Sequence, residues 1–240
     1  MTFWLTPEWP APPGVRAASL LRAGGFSQGS YAALNLGDHV GDAAAVVQRN
    51  RQRVREALAL PSEPVWLRQV HGSRVVDAEG ATGSEADGAF TAAVGPVCAV
   101  MTADCLPVLL CSVDGQCVAA VHGGWRSLAA GILETTVTAM GTRRLIAWLG
   151  PAIGPEAFEV GNEVRDTFLT GDAELAGAFR SVGDGKWLAD IYAIARRQLH
   201  TVGVDDCYGG GHCTYSDPDR FFSYRRDGIT GRMATLIWRV

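Results

Sequence analysis

Val97–Ser112 reads V-C-A-V-M-T-A-D-C-L-P-V-L-L-C-S. Val97–Met101 and Pro107–Ser112 are short apolar runs rich in Val and Leu, the composition of strands buried on both faces. Between them sits Thr102-Ala103-Asp104-Cys105, a polar interruption inside what is otherwise core. Polar groups in such a place are costly unless they find partners, so the interruption itself points to a functional role.

Working outward, Val118–Val121 is a further buried strand that runs into His122-Gly123-Gly124-Trp125 and then a helix over Leu128–Met140. Strand, glycine turn, helix is a geometry that presents a side chain and turns free backbone N–H groups toward an anion. Leu145–Leu149 reads as a strand ending at Gly150-Pro151, followed by a helix near Asn162–Leu169. On the N-terminal side, Val65–Val70 alternates and resumes at Val75-Val76, which predicts one strand broken at His71-Gly72. Ala43–Leu58 has apolar residues at helical spacing, with Asp42 as its expected N-cap and Pro61 beyond its end. Val15–Leu21 reads as a strand, and the Pro-rich stretch before Pro13 as irregular or an edge. Towards the C-terminus, Asp190–Val202 is an amphipathic helix and Val204–Tyr208 begins a strand. Phe221–Arg225 and Met233–Arg239 suggest a closing hairpin around Asp227-Gly228. Strands and helices mix without a regular βαβ cadence, which favours α+β over a doubly wound sheet. No repeat or linker interrupts the pattern, so residues 1–240 are expected to form one domain.

The chain has 240 residues, of which 48% are hydrophobic and 19% charged, enough for a large core and against disorder. A formal charge of -4, with no basic run, argues against a nucleic-acid binder. No stretch suggests a membrane span or a signal peptide. The six cysteines lie mostly in apolar surroundings, where Cys acts as a small hydrophobe. A reducing, cytoplasmic setting is expected.

Three side chains carry the chemistry: His71 in Q-V-H-G, Cys105 in T-A-D-C-L-P, and His122 in V-H-G-G-W-R. They lie 34 and 17 positions apart, unlike the close pairs of a zinc finger. Three ligands from three strand ends are what a catalytic zinc uses when it keeps a fourth position open for water. The same residues also suit a thiolate nucleophile with a histidine base. Asp104 is a candidate supporting group or proton acceptor. Arg22, Arg225 and Arg226 are candidates for holding phosphate, because the guanidinium fork matches oxyanions. Phe222 and Tyr224 either offer faces on which a flat ring can stack or occupy alternate positions on one strand. His39, His200 and His212 read as loop or helix-end residues.

The ordered motifs G-G-F-S (24–27), L-N-L-G-D-H-V-G-D (34–42), W-L-R-Q-V-H-G (66–72), C-A-V-M-T-A-D-C-L-P-V-L-L (98–110), H-G-G-W-R (122–126), A-W-L-G-P-A-I-G-P (147–155), F-E-V-G-N-E-V (158–164) and F-F-S-Y-R-R-D-G (221–228) run through nearly the whole chain. They resemble the YfiH or laccase-domain family, also described as purine nucleoside phosphorylase or peptidoglycan-editing-factor-like. The resemblance implies a four-layer α/β/β/α sandwich with mixed sheets and a zinc site formed by His71, Cys105 and His122. It implies phosphorolysis of purine nucleosides such as adenosine and inosine, with adenosine deamination also attributed to the family. Copper-dependent polyphenol oxidation is the older assignment, and muropeptide editing is a role suggested for some bacterial members. Ser27 and Asn35 enter as substrate contacts on the resemblance alone. The chain departs from the family's usual H-A-G-W-R-G at Gly123 and Ser127. Rival readings are a metal-free Cys-His hydrolase and a non-catalytic nucleotide sensor. Five histidines are few for the several sites of a multicopper enzyme.

Overall fold

A computed structural model describes residues 2–141 and 144–240. Among the described residues the elements run β1 (Trp4–Leu5), β2 (Val15–Leu20), α1 (Ala44–Ala57), β3 (Pro64–Val65), β4 (Val75–Asp77) and β5 (Gly88–Thr91). Next come β6 (Val97–Thr102), β7 (Leu106–Ser112), β8 (Val118–Gly123), α2 (Trp125–Ala129), α3 (Ile132–Met140) and β9 (Leu145–Leu149). The chain then forms β10 (Glu159–Gly161), α4 (Asn162–Gly171), β11 (Phe179–Gly183), β12 (Lys186–Ala189), α5 (Ile191–Thr201), β13 (Cys207–Gly209), α6 (Tyr224–Asp227) and β14 (Met233–Arg239).

Two mixed sheets carry the fold, in the orders β1-β2-β14-β6-β3 and β13-β9-β7-β8-β5-β4. Alternation along each buried strand explains how they stack. Cys98 and Val100 of β6, with Ile237 of β14, meet Leu109 and Cys111 of β7 and Val118 and Ala120 of β8 in a core between the sheets. The opposite faces of β6 and β14 (Val97, Ala99, Met101, Leu236) pack against Val54 of α1. The opposite faces of β7 and β8 (Val108, Leu110, Ala119, Val121) pack against α3, α4 and α5. The result is an α+β sandwich with helices on both outer faces, the layering the resemblance implies.

The two apolar runs of Val97–Ser112 lie in different sheets, β6 in one and β7 in the other, so Ala103–Cys105 is the crossing between layers. Four expectations need correction. Val65 and Val75 likewise end up in different sheets, with His71 on the connecting loop. The helix over Leu128–Met140 is split in two, because Gly131 takes φ +79, a left-handed conformation that ends α2 and starts α3. The closing hairpin does not form. Ser223 accepts a hydrogen bond from Arg226 N and caps the short α6, while β14 pairs with β2 and β6. Asp42 is not the N-cap of α1, a position held by Ala43. Its carboxylate is taken instead by Ser27 Oγ at 2.7 Å and Asn35 Nδ2 at 2.9 Å. The sheet β10-β12-β11 was not expected from the sequence at all. No helix among the described residues is long and apolar enough to cross a membrane.

Candidate metal centre

The crossing between the sheets builds the site. Asp104 takes φ +95 and His71 φ +60, and each is held in that strained conformation by other groups. Asp104 accepts hydrogen bonds from Thr214 Oγ1 and Arg225 N, both at 2.6 Å. The loop around His71 is held by Asp87, which is fully buried and accepts from Val70 N, His71 N and Gly72 N at 3.2, 2.9 and 2.7 Å. The other debt of Asp87 is to the next strand, where its Oδ1 lies 2.8 Å from His122 Nδ1.

This arrangement brings together the residues that the sequence singled out. The ligating atoms of His71, Cys105 and His122 lie within 4.8 Å of one another. Cys105 Sγ is 3.9 Å from His71 Nε2, and the two imidazole centroids are 4.7 Å apart at 76°. His122 is buried, Cys105 half-buried and His71 exposed, so the cluster opens to one side. Two nitrogens and one sulfur in joint reach fit a divalent ion with soft-metal character, and the exposed side of the cluster would leave room for a further ligand.

Gly124 closes the back of the cluster. A Cβ there would stand 3.0 Å from His71 Cδ2 and 3.3 Å from Cys105 Sγ. At the departure Gly123, a Cβ would come within 2.8 Å of the Leu106 carbonyl oxygen, so β7 and β8 approach more closely than an alanine would allow. At the other departure, Ser127 is fully buried and its hydroxyl makes no hydrogen bond among the described residues.

The electrostatics couple the cluster. Burial pushes the Cys105 thiol up, but His122 and His71 overcome it and bring the group down to about 6. Burial opposes charge on His122, yet Cys105 and Asp87 raise its pKa well above the ordinary imidazole value. Burial likewise works against the Asp87 carboxylate, and the hydrogen bonds from His122, Gly72 and Val70 hold it below the ordinary range.

A cavity of about 290 Å³ opens on His71, Asp104 and Cys105, walled by Trp125, Ile153, Phe158, Ile191 and Tyr224, with Arg126 and Arg225 also lining it. It sits at the small end of ligand pockets, apolar with a few convergent polar groups.

The remaining sequence candidates fall elsewhere. Arg22 donates to Ala32 O and Pro218 O and stacks on the fully buried Phe222. Arg226 donates to the Thr214, Tyr215 and Phe221 carbonyls and pairs with Asp227. Ser27 and Asn35 are tied into the network around Asp42 and Asn50. Of the expected anion holders only Arg225 lines the cavity, with Nη1 on Glu159 O at 2.8 Å. Sequence reasoning missed Asp87, Gly124, Trp125 and Phe158. A lone acid between Ala86 and Gly88 carries no signal of partners on two distant segments.

Comparison with known proteins follows the same line. The family model described as multi-copper polyphenol oxidoreductase laccase matches residues 16–240. The chain is 52% identical over 244 residues to a protein of Escherichia coli K12 named purine nucleoside phosphorylase YfiH, covering all of both chains. It is 52% identical over 241 residues to purine nucleoside phosphorylase PA4543 of Pseudomonas aeruginosa, covering 99% of each. Among solved structures, Neisseria meningitidis protein NMB0706 superposes with a TM-score of 0.96 at 50% identity, covering 99% of both chains. YlmD from Geobacillus stearothermophilus superposes with a TM-score of 0.93 at 32% identity, covering 99% of this chain and 96% of the other.

Proposed function

The chain belongs to the laccase-domain family that includes the YfiH proteins, and on that footing we propose that it is a zinc-dependent purine nucleoside phosphorylase acting on adenosine and inosine. The observation that carries this reading is the joint reach of His71, Cys105 and His122 beside an aromatic-walled cavity. Zinc is the metal this donor set suits, and it would supply Lewis-acid stabilisation of negative charge. In phosphorolysis a phosphate oxygen bonds to the anomeric carbon as the glycosidic C–N bond breaks. The bonding electrons leave with the base, which takes up a proton. Such a reaction needs orientation and charge neutralisation more than a covalent intermediate. Trp125, Phe158 and Tyr224 would stack on a flat purine and exclude water from it, while Asp104, at the cavity wall, would exchange a proton at its carboxylate. Adenosine deamination at the same site, with Asp104 as the proton carrier, belongs to this reading. So does a cytoplasmic setting, which the six free cysteines suit.

The test is a nucleoside panel with and without inorganic phosphate, read by product identity. Free base plus ribose 1-phosphate, formed only with phosphate, supports phosphorolysis. Inosine plus ammonia from adenosine, independent of phosphate, supports deamination. Turnover of neither kind by zinc-loaded protein would defeat the proposal.

One observation favours a second reading. The Cys105 thiol lies within 4.8 Å of a His122 ring nitrogen, and His122 Nδ1 meets Asp87, an order that would serve as nucleophile, base and orienting acid. That arrangement suits a metal-free hydrolase cleaving amides of muropeptide precursors. Zinc stoichiometry of protein purified without added metal separates the two, because a bound ion would occupy the thiolate. Copper-based polyphenol oxidation gains no support from the donor set. His39 sits beside Asp38, His200 beside Asp205, and His212 against Phe221, which leaves one three-ligand cluster among the described residues.

A further inference from the structure

We infer that Arg232 is the residue that holds the phosphate co-substrate, through the free Nε and Nη2 edge of its guanidinium. This rests on the phosphorylase reading above for the identity of the anion, and on geometry for the site.

The register of β14 places Arg232. Met233 pairs with Thr102, so Arg232 meets the chain where β6 ends and Ala103-Asp104-Cys105 begins. Its side chain is cradled rather than solvated. A Cβ on Gly37 would sit 2.8 Å from Arg232 Cγ, so the position admits the arginine only because residue 37 has no side chain. Asn35 Oδ1 accepts from Arg232 N at 2.9 Å. Nη1 donates to the Thr230 and Gly231 carbonyls at 3.0 and 3.1 Å, which fixes the plane of the guanidinium. The Tyr224 ring, a wall of the cavity, lies 5.8 Å away. Burial lowers the pKa of Arg232, and Cys105 followed by Asp104 are the groups that most strongly favour its charge.

The charge nevertheless lacks a direct partner. Among the described residues no carboxylate comes within ion-pair distance of Arg232, and Nε and Nη2 make no hydrogen bond. Of the other arginines, Arg22 and Arg226 are engaged by backbone carbonyls outside the cavity, Arg225 Nη1 donates to Glu159 O, and Arg126 stacks on the Trp125 ring. A half-buried guanidinium with its Nε/Nη2 edge open is built for bidentate contact with two oxygens of a tetrahedral oxyanion. Asn35 acts here through another residue, as a positioning group for Arg232.

The experiment uses zinc-loaded full-length protein and inorganic phosphate. Arg232→Met is expected to raise the KM for phosphate by about 10- to 100-fold, the loss that removing charge-assisted hydrogen bonds produces. The KM for inosine should stay within about twofold, and Arg232→Lys should recover part of the phosphate affinity without the bidentate fit. An unchanged KM for phosphate in Arg232→Met overturns the inference. A second measurement needs neither a variant nor turnover. In wild-type protein, inorganic phosphate should slow phenylglyoxal modification of Arg232, read by peptide mass, more than that of Arg225. Equal modification with and without phosphate also overturns it. If the wild-type enzyme forms no ribose 1-phosphate, the phosphorylase reading fails, whereas protection of Arg232 by phosphate would still stand for the anion site.

Discussion

Asp87 Oδ1 lies 2.8 Å from His122 Nδ1, which makes Nδ1 the donor and leaves Nε2 as the nitrogen free to ligate. The same carboxylate accepts the backbone N–H groups of His71 and Gly72, so one buried acid orients two of the three ligands. Asp87→Ala is expected to lower zinc affinity about 10- to 100-fold, the usual effect of removing such a supporting partner. It should also cost roughly 3 kcal/mol of stability, because the buried partner groups lose their acceptor. Asp87→Asn, which keeps one acceptor, should lie between. Chelator competition measures the first effect and urea unfolding the second. Wild-type zinc affinity in Asp87→Ala would show that the ligands orient themselves.

The sign of the Asp87 shift makes a separate prediction. Its folded-state pKa is held below the ordinary carboxylate value, so its contribution to stability is fully present above that value and is lost as pH falls through the folded-state pKa. The acid limb of the stability curve should therefore be flatter in Asp87→Asn than in wild type. Unfolding midpoints measured from pH 6 down to pH 2 would test it, and parallel limbs would contradict it.

Gly124→Ala separates metal binding from folding. Gly124 has φ -64 and ψ 155, which an alanine adopts freely, so the backbone pays nothing. Its Cβ, however, would press on His71 Cδ2 and Cys105 Sγ at 3.0 and 3.3 Å. Zinc affinity should drop about tenfold or more while the melting temperature of metal-free protein stays within about 3 °C, since the backbone conformation is kept and the exposed His71 ring can shift away from the new methyl group. Intact affinity in this variant would mean that the cluster can open without loss.

Metal removal should expose Cys105. In metal-free protein its thiolate forms as pH rises through about 6, so the alkylation rate should fall off below that value rather than near the ordinary thiol pKa. Cys98 and Cys111 are fully buried with their pKa pushed up, and should stay unreactive. Cys213 serves as the internal control. Burial raises its pKa, but hydrogen bonds from Ser216 and Gly154 lower it overall, and it lies outside the cluster. Zinc should protect Cys105 and leave Cys213 reactive. Equal rates at Cys105 with and without zinc would support the hydrolase reading.

The parts of this protein that were legible in sequence share one property: their partners are nearby or their burial is complete. The apolar runs around Cys98, Leu109 and Ala120 read as strands because every position is buried, and Asp190 announced the start of α5 by capping it, accepting from Tyr192 N and Ala193 N. Which sheet each run joins was not legible, since a buried strand looks the same in either layer. The small sheet escaped because β11 is largely exposed and carries no apolar alternation. His71, Cys105 and His122 stood out by residue type beside turn signals, whereas Asp87 and Arg232 depend on partners 35 and 197 positions away.

Ser223-Tyr224 illustrates how that local reading failed, and it leads to the last prediction. Phe222 and Tyr224 alternate with polar residues as a strand would, but Ser223 caps a helix, and the two rings have opposite fates. Phe222 is fully buried, whereas Tyr224 is 60% exposed at the cavity. Phe222→Ala should therefore cost about 3–5 kcal/mol of stability, the range for a core phenylalanine. Tyr224→Ala should leave stability within about 0.5 kcal/mol and raise the KM for inosine several-fold, because stacking against a flat base contributes about 1 kcal/mol. Thermal unfolding and inosine kinetics on both variants decide the matter. An unchanged KM for inosine in Tyr224→Ala would remove this ring from the base-binding wall.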